Sequence, residues 1–145
     1  MKIIIEDPKA DEEDEIIIRC KTIDEAVLKL IYGIKMGSQK VMAFKNDAII
    51  VLDPKEIYYF EAVDHKVFAY AEKEVYEVKA KLYEIEEDFE GTDFFRASKS
   101  SIVNLAQIKS LTPAFSGRFE ALLYNGERII ISRQYVSVLK KKLGF

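Results

Sequence analysis

A polar and basic run flanked by apolar residues lies in the last third of the chain. It reads FFRASKSSIVN from Phe94 to Asn104 and carries two cationic and three hydroxyl side chains. Residues 96–145 hold nine Lys or Arg against two acidic residues, a net charge of +7, although the whole chain has a net charge of −3. A positive surface from one stretch of chain is typical of a polyanion binder, but solvated lysines that balance a local excess would give the same sum.

Acidic residues dominate the rest of the chain, and neither they nor the single histidine predict catalysis. The acid clusters at 11–15 and 84–90 lack the Gly-punctuated ligand spacing of a calcium loop. His65 follows Asp64 in a predicted turn, where adjacency in sequence does not make the two side chains a base and its orienting partner. The sequence contains no phosphate loop, no Cys/His metal spacing and no nucleophile elbow. We expect no enzymatic activity, no metal, no cofactor and no small-molecule substrate.

Length and composition predict one ordered domain with a small N-terminal extension. The 145 residues are 49% hydrophobic and include only six Gly and three Pro, a composition typical of a globular protein. No apolar run approaches the roughly 18–20 residues that cross a bilayer, and no secretion signal opens the chain. We therefore expect a cytoplasmic protein. Cys20 is the single cysteine and lies in a run that predicts a strand.

Short runs of β-branched and aromatic residues, separated by turn residues, predict a mainly β protein. Turns are marked at 46–47, 64–65, 72–73 and 116–117, and most clearly at Asn125-Gly126, because Asn-Gly tolerates positive φ at both central positions of a hairpin. The first two strands form a predicted N-terminal β-hairpin. The predicted strands are 2–5, 15–20, 41–45, 48–52, 57–62, 66–71, 75–78, 108–112, 118–124 and 128–132.

Three segments predict helices, and the first carries two apolar stripes. Thr22 and Glu25 have the spacing of a capping box, apolar residues then recur at helical spacing, and Gly37 follows the end. A second apolar stripe on the opposite side of this helix is covered either by loops or by another subunit, and we expect a dimer or partner interface there. The stripe consists of Leu28, Tyr32 and Met36. The other two helices are predicted at 82–88 and 134–143.

Several separated motifs, in the same order, resemble the LytTR DNA-binding domain family. The run from Phe94 to Asn104 matches the pattern F-x-R-x-x-[RK]-S-x-x-[VI]-N, and Ile131-Ser132-Arg133 before the terminal helix matches [VI]-S-R. Upstream, IYYFE at 57–61 resembles the strand pattern I-x-[YF]-[IF]-E. The resemblance covers 41–145. It predicts a LytTR-like DNA-binding domain there, preceded at 1–40 by a hairpin and helix for dimerisation or regulation.

The resemblance implies an α+β fold of stacked antiparallel β-sheets with short helices. In this family loops, rather than a recognition helix, enter successive major grooves of bent double-stranded DNA. The family's base contacts correspond here to Lys99, to Arg133 and to either His65 or Lys66, because variable loop length leaves the third assignment open.

The chemistry of these side chains fits the implied roles. Guanine presents O6 and N7 acceptors in the major groove, which suit the planar fork of Arg133 and, less selectively, the ammonium of Lys99. Alternatively, Arg133 begins a helix and pairs with an acid, and the terminal lysines interact with a helix C-terminus. Asn104 is expected to close a turn. Cationic and hydroxyl side chains expected at DNA phosphates are Arg96, Ser98, Ser100, Ser101, Ser132, Lys140, Lys141 and Lys142.

The N-terminal segment determines what kind of regulator this chain resembles. LytTR domains often follow a phosphoryl-accepting receiver, for which about forty residues are too few, so we expect no phosphorelay control in this chain. Residues 1–40 are expected to complete the fold, form a homodimer or bind a regulator such as a membrane protein. The sequence predicts a transcriptional regulator that binds promoter DNA. The alternative is a protein-interaction module that uses 22–36, although such a module would not need Lys99, Arg133 or the +7 segment.

Overall fold

The chain folds into two antiparallel sheets and three α-helices. The structure, a computed structural model, describes residues 2–144, without the side chains of residues 32 and 35–38. Seven strands form one sheet in the order β2-β1-β5-β4-β3-β7-β6, and three form a second in the order β10-β9-β8. The elements are α1 Glu25–Ser38, β1 Val41–Lys45, β2 Ala48–Leu52, β3 Tyr59–Val63, β4 Lys66–Tyr70, β5 Val75–Val78, α2 Leu82–Asp88, β6 Phe94–Ser98, β7 Ser101–Asn104, β8 Ile108–Pro113, β9 Phe119–Leu123, β10 Arg128–Ile131 and α3 Arg133–Lys142. The expected α+β fold of stacked sheets is confirmed.

Strands β3, β6 and β7 lie between two hydrophobic clusters, because side chains alternate between the two faces of a strand. Phe60, Phe94 and Ile102 belong to a cluster that α2 covers with Leu82 and Ile85. Their neighbours Tyr59, Phe95 and Val103 belong to a second cluster, which the three-stranded sheet and α3 cover. Each fully buried large apolar side chain stabilises the fold by about 1.5–3 kcal/mol. The centre of the large sheet is therefore a rigid support for the turns at its ends.

Three predicted turns join antiparallel strands, and their backbone conformations are of two kinds. Asn46-Asp47 and Asp64-His65 have positive φ at both residues, as in a type I′ turn. In the Asn125-Gly126 turn, Gly126 has a positive φ of 90° and Asn125 does not. The hairpin predicted at this turn is confirmed, because the turn joins the antiparallel strands β9 and β10. The Asn125 side chain closes that turn by accepting a hydrogen bond from the amide of Glu127 at 3.1 Å.

The predicted N-terminal β-hairpin is absent from the described residues. The runs at 2–5 and 15–20 form no strand, and Ile3 and Ile5 are 84% and 91% exposed. Cys20 is exposed as well, outside any strand. A hairpin of two strands is marginal in water unless a further strand or a helix covers its apolar side, and neither run pairs with a sheet.

Several strand and helix ends lie one or two residues from the predicted ones, and larger differences concern the start of α1 and strand β6. Helix α1 begins at Glu25, and the carboxylate of Asp24 accepts a hydrogen bond from the amide of Val27 at 3.0 Å, so Asp24 rather than Thr22 caps it. Residues 94–98 were not predicted as a strand, yet they form the edge strand β6. Among the described residues, no helix is long and apolar enough to cross a membrane.

Candidate nucleic-acid interface

Two hairpin turns lie side by side at one end of the seven-stranded sheet. Strand β3 runs antiparallel to β7, and the amide of Ala62 donates a hydrogen bond to the carbonyl of Ser100 at 2.8 Å. The turn at 64–65 follows β3 directly, and the turn at 99–100 directly precedes β7. The topology therefore brings His65 and Lys99 to the same end of the sheet although they are distant in sequence.

The beginning of α3 reaches the same end of the molecule. The amide of Ser132 donates to the carbonyl of Ala97 at 2.8 Å, next to the last residue of β6. Ser132 is the N-cap of α3, its side chain makes no capping bond, and Arg133 is the first helical residue. The free amides of a helix N-terminus favour anions such as phosphate. Arg133 thus joins Lys99 and His65 on one surface.

The turn between β8 and β9 lies against Arg133. Phe119 pairs with Ile131, so the preceding turn at Phe115–Gly117 reaches the start of α3. A Cβ atom at Gly117 would lie 3.0 Å from Cδ and 3.1 Å from Cγ of Arg133. We use the term loop face for the surface formed by residues 64–65, 99–100, 115–117 and 132–133.

The turn that carries Lys99 is held by its own polar side chains. Ser98 Oγ lies 2.8 Å from Ser101 Oγ and accepts a hydrogen bond from the amide of Ser100 at 3.2 Å. Arg96 Nη1 donates to the carbonyl of Lys99 at 3.3 Å, and its Nε lies 3.2 Å from Glu86 Oε2. These contacts hold the turn in place, and the phosphate contacts predicted for Arg96, Ser98 and Ser101 stay predictions. Lys99 and Ser100 remain exposed.

The structure also distinguishes His65 from Lys66. Lys66 Nζ lies 3.6 Å from Glu77 Oε1 on β5, so Lys66 extends away from β3 and β7. A hydrogen bond from Lys79 and the nearby charge of Lys66 lower the pKa of Glu77. Glu77 is therefore a stable anionic partner for Lys66. His65 lies at the tip of its turn, and both His65 and Lys66 are exposed.

The three terminal lysines do not occupy equivalent positions. Helix α3 has ten residues and is about 15 Å long, so its C-terminal end is distant from Arg133. Lys142 Nζ donates to the carbonyl of Thr92 at 2.6 Å, and burial lowers the pKa of Lys142. This side chain anchors the end of α3, a role that the sequence did not predict. Lys140 and Lys141 are exposed.

The surface clefts and the ion pairs of the described residues do not involve His65 or Arg133. Two surface clefts of about 280 and 410 Å³ lie elsewhere, and His65 lines neither. Among residues 2–144 as described, no group of three or more His, Cys, Asp or Glu side chains is placed to hold a metal ion. Arg133 is exposed and takes part in none of the ion pairs found in the described part of the chain. Its guanidinium is therefore available to a ligand.

Comparison with known proteins assigns this arrangement to a family. Residues 47–144 match the family model of the LytTr DNA-binding domain. The chain belongs to the LytTR DNA-binding domain family. A solved LytTr DNA-binding domain from Bacillus cereus is 33% identical, with a TM-score of 0.70, and the match covers 75% of this chain and 100% of that one. The resemblance found in the sequence motifs is confirmed.

Curated relatives of this LytTR domain are named as sensory transduction proteins and as an HTH-type transcriptional regulator. The sensory transduction protein LytT of Enterococcus faecalis is 30% identical over 99 residues, which are 68% of this chain and 41% of that protein. Its Bacillus subtilis namesake is 27% identical over 135 residues, 92% and 56% of the two chains. This chain therefore spans about half the length of these relatives. An uncharacterised HTH-type transcriptional regulator of Staphylococcus aureus is 26% identical over 107 residues, 74% of this chain and 72% of that protein.

The close approach of Gly117 to Arg133 leads to a testable prediction. Gly117 has φ 75°, so Gly117→Ala strains the backbone by about 1 kcal/mol and its new Cβ displaces the Arg133 side chain. We expect a small loss of stability in urea unfolding and a clear loss of DNA affinity. Gly126→Ala is the matched control, because Gly126 has φ 90° and open space around it. Wild-type DNA affinity in both variants would show that the contact with Arg133 is unimportant.

Proposed function

We propose that this LytTR domain is the DNA-reading part of a bacterial transcriptional regulator, and that the loop face binds double-stranded promoter DNA with sequence specificity. One observation carries the proposal: His65, Lys99 and Arg133 come from three separate segments and meet on one exposed surface. The segment 96–145, with its net charge of +7, supplies two of the three side chains. The protein acts by binding, without enzymatic chemistry, in the cytoplasm where a bacterial promoter lies.

The proposed contacts follow from the geometry of each side chain. Arg133 binds the O6 and N7 acceptors of a guanine in the major groove, and Lys99 and His65 contact further base edges. Ser100, Ser132 and the first amides of α3 bind phosphates and fix the register of the domain on the duplex. Lys140 and Lys141 extend the positive surface. Arg96, Ser98 and Ser101 hold the Lys99 turn in place.

We propose in addition that α1 forms a homodimer interface. Leu28, on the predicted second stripe of α1, is 37% exposed. Leu30, Ile31 and Ile34 share a helix face with the buried Val27 and are still 36–43% exposed. Exposed apolar side chains on one element mark interaction surfaces, and a two-fold dimer suits promoters with repeated half-sites. The side chains of Tyr32 and Met36, which complete the predicted stripe, lie outside the described residues. Sedimentation velocity tests this proposal. A protein that stays monomeric at all concentrations would refute the homodimer, and α1 would then be the proposed binding surface for a regulatory partner such as a membrane protein.

The proposed function is tested by fluorescence anisotropy with labelled DNA from the upstream region of the protein's own gene and with scrambled duplex, across a salt series. We expect a preference of at least about 1,000-fold and a steep salt dependence. The double variant Lys99→Ala/Arg133→Ala should abolish the preference. Lys109→Ala/Arg128→Ala removes the same charge at the opposite end of the small sheet and should retain it. Wild-type binding without preference would refute specific recognition by this chain alone.

A further inference from the structure

An aromatic side chain in the loop face has no role in the fold. Phe115 is 90% exposed, whereas the neighbouring aromatic residue Phe119 packs against the second hydrophobic cluster. Single exposed apolar residues are common on protein surfaces. Phe115 differs from such residues because its position is determined by a structured turn beside a cation that is proposed to enter the major groove.

The turn holds Phe115 in a fixed place relative to Arg133. The amide of Ala114 donates to the carbonyl of Arg118 at 2.8 Å and closes the turn. Ser116 and Gly117 both have positive φ, 60° and 75°, and Gly117 lies against the Arg133 side chain. The ring of Phe115 is therefore two residues from the glycine on which Arg133 packs. We therefore expect a ligand bound at Arg133 to lie within reach of Phe115.

The edges of DNA bases offer one apolar group to such a ring. In the major groove, thymine presents its 5-methyl group, and apolar side chains such as Phe recognise it by contact. We propose that Phe115 reads the methyl group of a thymine next to the base bound by Arg133. This inference rests on the proposed function and adds a specificity-determining residue to it. It also explains why a phenyl ring is left in water in the unbound protein: the duplex covers it.

Replacement of single thymines by uracil tests the inference, because uracil lacks only the 5-methyl group. In the preferred duplex of the wild-type protein, each dT is replaced in turn by dU and the dissociation constant is measured. At one position we expect the affinity of the wild-type protein to fall about fourfold, as for the loss of one buried methyl group. Phe115→Ala should bind the unmodified duplex at least about fourfold more weakly and should not respond to dU at that position.

Tyr124→Ala is the matched control. Tyr124 is 61% exposed but lies at the β9–β10 turn, at the other end of the small sheet, so this variant should keep the wild-type response to dU.

Phe115→Ala should unfold at the wild-type urea concentration, since the ring is exposed. Equal dU profiles for wild type and Phe115→Ala would overturn the inference and leave the proposed function intact. A uniform loss on every duplex would indicate a wedge or a phosphate-side contact and would overturn thymine reading. Absence of sequence preference in the wild type would refute the proposed function itself.

Discussion

Arg133→Ala is expected to weaken binding to the preferred duplex by roughly 5- to 150-fold while the affinity for unrelated DNA changes little. The factor corresponds to the 1–3 kcal/mol by which one good bidentate contact discriminates against a wrong base. Anisotropy titrations of both duplexes at one salt concentration measure the two affinities. The ratio of the preferred to the unrelated affinity should fall by the same factor, because only the affinity for the preferred duplex changes.

The structure explains why one side chain has so large an effect. Arg133 begins a helix whose start is tied to β6 through the bond from Ser132 to Ala97, and its stem lies against Gly117. Its guanidinium is exposed and takes part in no ion pair of the described residues. Little conformational freedom is then lost on binding, and no internal salt bridge has to break first.

Arg128→Ala is the control for loss of charge. Arg128 is exposed and pairs with Glu120 at 2.6 Å, away from the loop face, so the preference should remain near the wild-type value. Lys140→Ala/Lys141→Ala provides a contrast, because loss of phosphate contacts weakens every duplex alike and flattens the salt slope by about 0.9 for each contact. Equal losses on all sequences for Arg133→Ala would contradict its proposed role in base recognition.

Asn104→Ala is expected to lower the free energy of unfolding by about 3 kcal/mol, a large share of the stability of a domain of this size. Asn104 is 1% exposed. Its Nδ2 donates to the carbonyl of Ile57 at 2.9 Å, and its Oδ1 accepts from the amide of Ala106 at 3.1 Å. Alanine leaves the carbonyl of the buried Ile57 and the part-buried amide of Ala106 without these partners and adds a small cavity. Urea unfolding followed by circular dichroism measures the change.

Asn125→Ala is the corresponding control. Asn125 also accepts an amide hydrogen bond two residues ahead, from Glu127, but in an exposed turn where water replaces the lost partner. We expect a loss below about 1 kcal/mol. If the two variants lost similar stability, burial of Asn104 would not be the cause. The prediction from the sequence that Asn104 has a structural role in a turn is confirmed by its contacts.

Local sequence rules were sufficient for most of the β-structure. Strands β1, β2 and β5 have the bounds that their apolar runs and turn residues predicted. Strand β6 was not predicted, because Arg96 and Ser98 interrupt its apolar pattern. It forms because its backbone pairs with β7. The N-terminal hairpin failed for the opposite reason: its runs have strand propensity, but no neighbouring strand pairs with them.

For the site, too, the sequence indicated the local motifs and left out the contacts between distant elements. Ordered motifs around Lys99 and Arg133 indicated the family, which the comparisons confirmed. They did not indicate that Arg96 and Lys142 are engaged inside the protein, since those contacts join residues of different elements. Phe115 was overlooked, although it immediately precedes the Ser116-Gly117 turn signal and an aromatic residue there is a detectable feature.

From the order of its residues alone, this chain specifies a mainly β LytTR domain, the types of side chain available to DNA and most of its turns. These properties depend on side-chain periodicity, backbone preferences and motif spacing, all of which act over a few neighbouring residues. The tertiary structure decides how the loop face is assembled, which contacts Lys66 makes and that Phe115 is exposed. These properties depend on hydrogen bonds and packing between distant segments, such as Ser132 with Ala97. Such pairings are set by the free energy of the whole fold, because each costs conformational entropy that only the complete core offsets.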